Sequence, residues 1–150
     1  MKIQFPALSQ NEMLSRMVVS GFLAQLNPTV EDISDIKTAV SEAVTNAIVH
    51  GYKDKSGIVI LEGRIYKDRI VYISIKDRGC GIEDVEKARE PLFTTGADEE
   101  RAGLGFSIME SFMDELSVES VVNLGTKVTM RKAIKQNLKG RKYHGIWFYW

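Results

Sequence analysis

Three short stretches of this sequence carry residue types whose chemistry calls for a ligand. Asp77-Arg78-Gly79-Cys80-Gly81-Ile82 follows directly on a strand-like run. A carboxylate at a strand end accepts a hydrogen bond from an exocyclic amine, and glycines let the backbone approach a flat ring closely. Arg101-Ala102-Gly103-Leu104-Gly105 ends a loop and opens a helix-like pattern. A glycine pair at a helix N-terminus presents free N–H groups at the positive end of the dipole, which suits an anion. Arg101 adds a charged fork matched to a terminal phosphate.

The third stretch is SEAVTNAIVH, in which Glu42, Asn46 and His50 recur at every fourth position. On a wheel of roughly 100° per residue, Ile36, Val40, Val44 and Ala47 fall within about 60° of Ile33, while Glu42, Asn46 and His50 occupy a band about 180° to 260° away. The polar band borders the apolar face without belonging to it. Ala39 and Ala43 lie between the two, which leaves room for a ligand beside the stripe. Gly125-Thr126, opening the last strand-like run, adds a fourth signal. Taken singly, each stretch also reads as ordinary structure: a solvated helix face, a Gly-rich turn, a helix start, a hairpin.

The elements that must position these residues follow from periodicity. KIQF alternates like a short strand, and Pro6 stops it before a helix opens near Ser9, with Met13, Met17, Val18, Phe22 and Leu26 expected on its core stripe. Thr29 is placed to cap a second helix, with Asp32 three residues on as an approximate capping box. GIVILEGRIY and RIVYISIKD, separated by Lys67-Asp68, read as an antiparallel hairpin. A Gly-rich turn then feeds a short helix. Residues 90–105 read as a functional loop, and a helix follows from Phe106. LSVESVV and GTKVTMRKA form a closing hairpin. The order β-α-α-β-β-α-loop-α-β-β predicts an α+β, two-layer sandwich: a mixed, mostly antiparallel sheet with helices on one face.

Bulk composition narrows the function. The chain has 150 residues, 44% of them hydrophobic and 27% charged, as expected of one globular domain. Lys+Arg and Asp+Glu number 20 each, so no global positive field gathers nucleic acid or an anionic membrane. Cys80 is the single cysteine, no apolar run approaches the roughly 18 residues needed to span a bilayer, and the first residues lack a secretory pattern. A cytosolic protein is expected. From Lys135 the pattern lapses into a basic and then aromatic tail, so the domain is drawn at residues 1–134 and the tail at 135–150.

In their joint order these motifs resemble the GHKL, or Bergerat-fold, ATP-binding superfamily. Glu42 through Asn46 to His50 matches its N box, DRGCGI its G1 box, GLG at residues 103–105 its G2 box, and Gly125-Thr126 its final box. SEAVTNAIVHGY, EPLFTTGADEERAGLGFSIMESFMDEL and VESVVNLGT are similar to the anti-sigma factor and protein serine kinase group, its sporulation members above all. The resemblance covers about residues 1 to 132. It implies that Asn46 ligates a Mg²⁺ ion bridging ATP phosphates, and that Asp77 accepts from the adenine amine with Thr126 nearby. It further implies that Gly79 and Gly81 pack against the base and that Gly103, Leu104 and Gly105 cradle phosphates, with Thr94 and Thr95 in the lid also touching the nucleotide. Arg101 would steady the γ-phosphoryl group, Glu42 would be general base toward a serine hydroxyl, and Arg16 would contact a partner. Gly96 stands where that group's lid commonly carries a lysine.

The implied partners are an RNA polymerase sigma factor, an anti-sigma antagonist that carries the acceptor serine, and a second copy of the chain. Two other readings compete: the catalytic domain of a histidine kinase, and a nucleotide-gated binding module without catalysis. The sequence lacks GxxxxGK[ST], HRD and DFG, so neither a P-loop enzyme nor a eukaryotic-type kinase is supported.

Overall fold

The computed structural model describes residues 1–53, 55–90 and 97–137, the side chains of 97–102 excepted. Five strands form one sheet: β1 (Lys2–Pro6), β2 (Ile58–Tyr66), β3 (Ile70–Lys76), β4 (Glu115–Val121) and β5 (Gly125–Ala133). Their spatial order is β1-β2-β3-β5-β4, and all four pairings are antiparallel, so the sheet is antiparallel throughout and not mixed. Alternation puts Val59 and Leu61 of β2, Val71, Ile73 and Ile75 of β3, and Val128 and Met130 of β5 on one buried face.

That face is covered by α1 (Gln10–Ala24), α2 (Val30–Thr45) and α4 (Ala97–Phe112), with α3 (Val85–Arg89) a short helix beside α4. Ile36, Val40 and Val44 of α2 and Phe106 and Met109 of α4 meet the strand residues in the core. Among the described residues no helix is long and apolar enough to cross a membrane.

The expected stripe of α1 is corrected. Met13 and Met17 are 65% and 68% exposed, and the helix buries Ser15, Val19 and Leu23 instead, flanked by Val18, Phe22 and Leu26. The serine disguised this face: its hydroxyl donates to the Glu12 carbonyl at 2.6 Å, which satisfies it without a partner outside the helix. At the start of α2, Thr29 caps as expected, its Oγ1 accepting from Asp32 N at 3.1 Å. Asp32 does not complete the capping box. Its buried carboxylate accepts from Lys135 N at 2.9 Å.

That bond also holds the first residue of the expected tail. Lys135, Gln136 and Asn137 remain tied to the helix layer, through Asp32, a bridge between Gln136 and Pro28, and a bond from Asn137 N to Asn27 O. Arg69 fastens the same corner: its Nε donates to Ile134 O at 3.0 Å and its Nη2 to Leu26 O at 2.5 Å. Residues 138–150 lie outside the described residues.

Candidate functional site: a polar wall on α2 and a carboxylate at the end of β3

The polar band of α2 runs into a widened turn. Residues Asn46–Gly51 continue the helix as a π turn, a form that occurs disproportionately at functional sites. Ala39 and Ala43, expected to leave ligand space, are instead packed in the core. The room comes from the facing helix: a methyl on Gly105 of α4 would lie 3.1 Å from Glu42 Oε2 and 3.2 Å from Asn46 Nδ2. Asn46 Nδ2 is buried and has no hydrogen-bond partner among the described residues. Such an orphan costs about 1–3 kcal/mol and calls for a missing partner.

Glu42 is half-buried. Burial, and behind it the Glu12 carboxylate, push its carboxyl above the ordinary glutamate value, which makes it a better proton acceptor. Glu12 projects from α1, accepts from Ser41 Oγ and lies 3.9 Å from Arg16 Nη1. Arg16 therefore stands on the α1 side of α2, lining a groove with Ser9, Ser41 and Thr45.

The second cluster forms where β3 ends. Asp77 is 5% exposed, and its Oδ1 accepts from Gly79 N at 2.8 Å and Thr126 N at 3.3 Å. Burial pushes its carboxyl up, against the pull of those two N–H groups. Gly79 and Gly81 serve packing between backbones on their Cβ sides. A Cβ on Gly79 would lie 2.1 Å from Gly51 O, and one on Gly81, whose φ is +72°, 2.2 Å from Val121 O. The turn is thereby wedged between the π turn and the β4–β5 hairpin, with Cys80 N donating to Gly51 O and Asn123 N to Cys80 O.

The two clusters are joined through Gly51, where a Cβ would touch Asp77 Cγ at 3.0 Å. Glu42, Asn46 and Gly105 thus stand at one end of a short path and Asp77, Gly79, Gly81 and Thr126 at the other. One expectation fails. The helix expected from Phe106 begins at Ala97, so Gly103, Leu104 and Gly105 lie in its interior, where N–H groups bond within the helix. No free N–H cradle exists at those residues in this conformation. Thr94 and Thr95 lie outside the described residues, as does the side chain of Arg101.

Residues 5–132 match the histidine kinase-like ATPase domain family. The chain belongs to the histidine kinase-like ATPase domain family. An anti-sigma F factor of Caldanaerobacter subterraneus subsp. tengcongensis is 56% identical over 91% of this chain and 95% of its own length. One from Geobacillus sp. is 53% identical over 91% of this chain and 94% of its own. The fold is similar to the catalytic domain of histidine kinase ThkA, with a TM-score of 0.55 at 18% identity, covering 89% of this chain and 96% of that one.

Within this ATPase domain three positioning residues were missed from sequence. Tyr52 Oη donates to Ile58 O at 2.7 Å and accepts from Arg78 N at 2.9 Å, bracing the turn after Asp77. Ser120 Oγ contacts Thr126 and Ile82. Glu12 sets the charge beside Glu42. None lies in a box motif, and only the register Ser120↔Thr126 would have marked one of them.

Proposed function

We propose that this chain is an anti-sigma factor, binding and inhibiting an RNA polymerase sigma factor, sigma F by its relatives' name, and that as an ATP-dependent serine kinase it phosphorylates an anti-sigma antagonist. The observation that carries the kinase half is the buried, unpartnered amide nitrogen of Asn46 beside Glu42, opposite a glycine. That nitrogen is a donor and calls for an acceptor such as a phosphate oxygen, while the Oδ1 of the same amide would suit Mg²⁺, which keeps most of its coordination for waters and phosphate oxygens. Asn46 is the residue that would hold the ion, and Mg²⁺ would supply neutralisation of charge on the ATP phosphates. No group of three His, Cys, Asp or Glu side chains among the described residues offers an all-protein metal cage.

Asp77 would fix the base by accepting from the adenine amine. Glu42 would orient the acceptor serine and take its proton as the serine oxygen bonds the γ-phosphorus and the bond to the departing ADP oxygen breaks. The loose transition state of phosphoryl transfer makes placement weigh more than base strength, and the raised pKa of Glu42 assists. Thr94, Thr95 and Arg101 complete the phosphate end by resemblance. Sigma binding, the antagonist substrate, the homodimer and a cytoplasmic location belong to the same reading, and Arg16, exposed on α1, is its partner contact.

The test uses radiolabelled γ-phosphate transfer to a co-purified antagonist, with wild type and Glu42→Gln. Glu42→Gln should bind ATP within a few-fold of wild type and lose at least about 100-fold in transfer rate. Undiminished transfer refutes the role of Glu42, and tight ATP binding by wild type with no transfer reduces the protein to a nucleotide-gated binding module.

A further inference from the structure

The hydroxyl of Ser120 holds the base-recognition end together, and its hydrogen-bond arithmetic fixes the polarity of a neighbour. Ser120 on β4 is the register partner of Thr126 on β5, and both side chains point toward the helix layer beside Asp77. Ile82 N donates to Ser120 Oγ at 2.8 Å, Ser120 Oγ lies 3.2 Å from the Gly125 carbonyl, and Thr126 Oγ1 is 2.9 Å away. A serine hydroxyl has one hydrogen and two lone pairs. A single assignment satisfies every contact. Ser120 gives its hydrogen to Gly125 O and accepts from both Ile82 N–H and Thr126 O–H. If Ser120 donated to Thr126 instead, the Gly125 contact would have no hydrogen.

In the satisfied arrangement the Thr126 proton is committed to Ser120, and Thr126 Oγ1 offers only lone pairs to anything else. Asp77, bonded to Thr126 through its backbone and its carboxylate, offers an acceptor as well. Two acceptors side by side welcome an amino group and repel a carbonyl oxygen. We propose that Ser120 is a specificity-determining positioning residue, which holds Thr126 as an acceptor and so makes the site choose a purine with a 6-amino group over one with a 6-keto group. This inference rests on the nucleotide site proposed above and deepens it.

The test compares ATP with inosine triphosphate, which carries a keto oxygen in place of the 6-amino group. Dissociation constants are measured by titration calorimetry on the full chain with Mg²⁺, for wild type, Ser120→Ala, Ser120→Thr and Thr126→Val. Wild type should prefer ATP. Ser120→Ala frees the Thr126 proton to donate to a keto oxygen, so the preference should shrink by about 5- to 10-fold. Ser120→Thr retains the hydroxyl and should retain the preference. Thr126→Val removes the acceptor at nearly constant volume and should also shrink it. A partly unfolded variant loses sites for both nucleotides alike, so the ratio survives a fall in active fraction. An unchanged ratio in Ser120→Ala or in Thr126→Val overturns the inference while leaving the nucleotide site intact. Absence of ATP binding by wild type overturns the site and the inference together.

Discussion

Asp77 and Thr126 hold each other in both directions: Asp77 N donates to Thr126 O at 2.9 Å, and Thr126 N donates to Asp77 Oδ1 at 3.3 Å. The first bond aligns the end of β3 with the start of β5, and the second, with the bond from Gly79 N, fixes one oxygen of a buried carboxylate. In the proposed nucleotide site, strand pairing and base recognition would therefore meet in one residue pair.

The pair separates binding from stability. Burial is the larger influence on Asp77 and raises its pKa above the ordinary 3.8. A carboxyl with a raised folded pKa binds its proton more tightly in the folded state, so its stability contribution is greatest below about 3.8 and is lost as pH rises through the folded value. Asp77→Asn keeps an Oδ1 acceptor for Gly79 N and Thr126 N and removes the buried charge. Thermal unfolding at neutral pH should show the variant at least as stable as wild type, with its relative advantage growing from acid to neutral pH. ATP affinity should fall about tenfold or more, as an amide turned to satisfy those N–H groups presents donors to the adenine amine. A marked loss of neutral-pH stability would mean that the charge itself holds the turn.

Glu12 offers a second pH test. It acts on Glu42 as a like charge, behind the larger effect of burial. Glu12→Gln removes that repulsion, stabilises the Glu42 carboxylate and lowers its pKa. The acid limb of the phosphotransfer rate, measured in single turnovers at saturating ATP, should move to lower pH. A limb that stays in place would show that Glu42 does not govern it.

Much of this arrangement was legible because period and motif agree. Strand alternation in IVILEGRIY and IVYISIK is strict enough to set which face is buried, and Gly-rich punctuation set the turns. Asp77 was visible because it ends such a strand. Ser15 and Asp32 were not, since each is a buried polar residue whose satisfaction depends on a local carbonyl or on Lys135, 103 positions away. Met13 and Met17 show the converse, apolar side chains left in solvent because α1 turns its serine inward. Helix α4 starts earlier than its glycines predict because glycines weaken a helix without forbidding it, and neighbouring contacts override propensity.

That helix start yields a third prediction. For the N–H groups of Gly103–Gly105 to reach phosphates, the first turns of α4 must open, since within the helix those groups are engaged. Gly105→Ala opposes opening, because alanine favours helix by about 1 kcal/mol. Its methyl would also crowd Glu42 and Asn46 at 3.1–3.3 Å. ATP affinity by calorimetry should drop about tenfold or more, without a fall in the thermal midpoint of more than a few degrees. Unimpaired ATP binding would show that phosphates reach the site without this region opening.

Arg69 provides the contrast, a residue whose loss should damage the fold and spare the site. Its guanidinium donates to the carbonyls of Ile134, Leu26 and Lys135 at 3.0, 2.5 and 3.1 Å, closing the corner where β5 leaves the sheet beside the end of α1. Arg69→Ala removes these charge-assisted bonds together and should cost about 1.5–3 kcal/mol in urea unfolding. Arg69→Lys keeps the charge on a single ammonium that cannot reproduce the planar fork, so it should recover only part of that loss. Because none of these carbonyls lies in the Asp77 turn or on the Glu42–Asn46 wall, ATP affinity of the folded variants should stay within about twofold of wild type. A larger loss of affinity in Arg69→Lys would show that this corner is coupled to the proposed nucleotide site through the sheet.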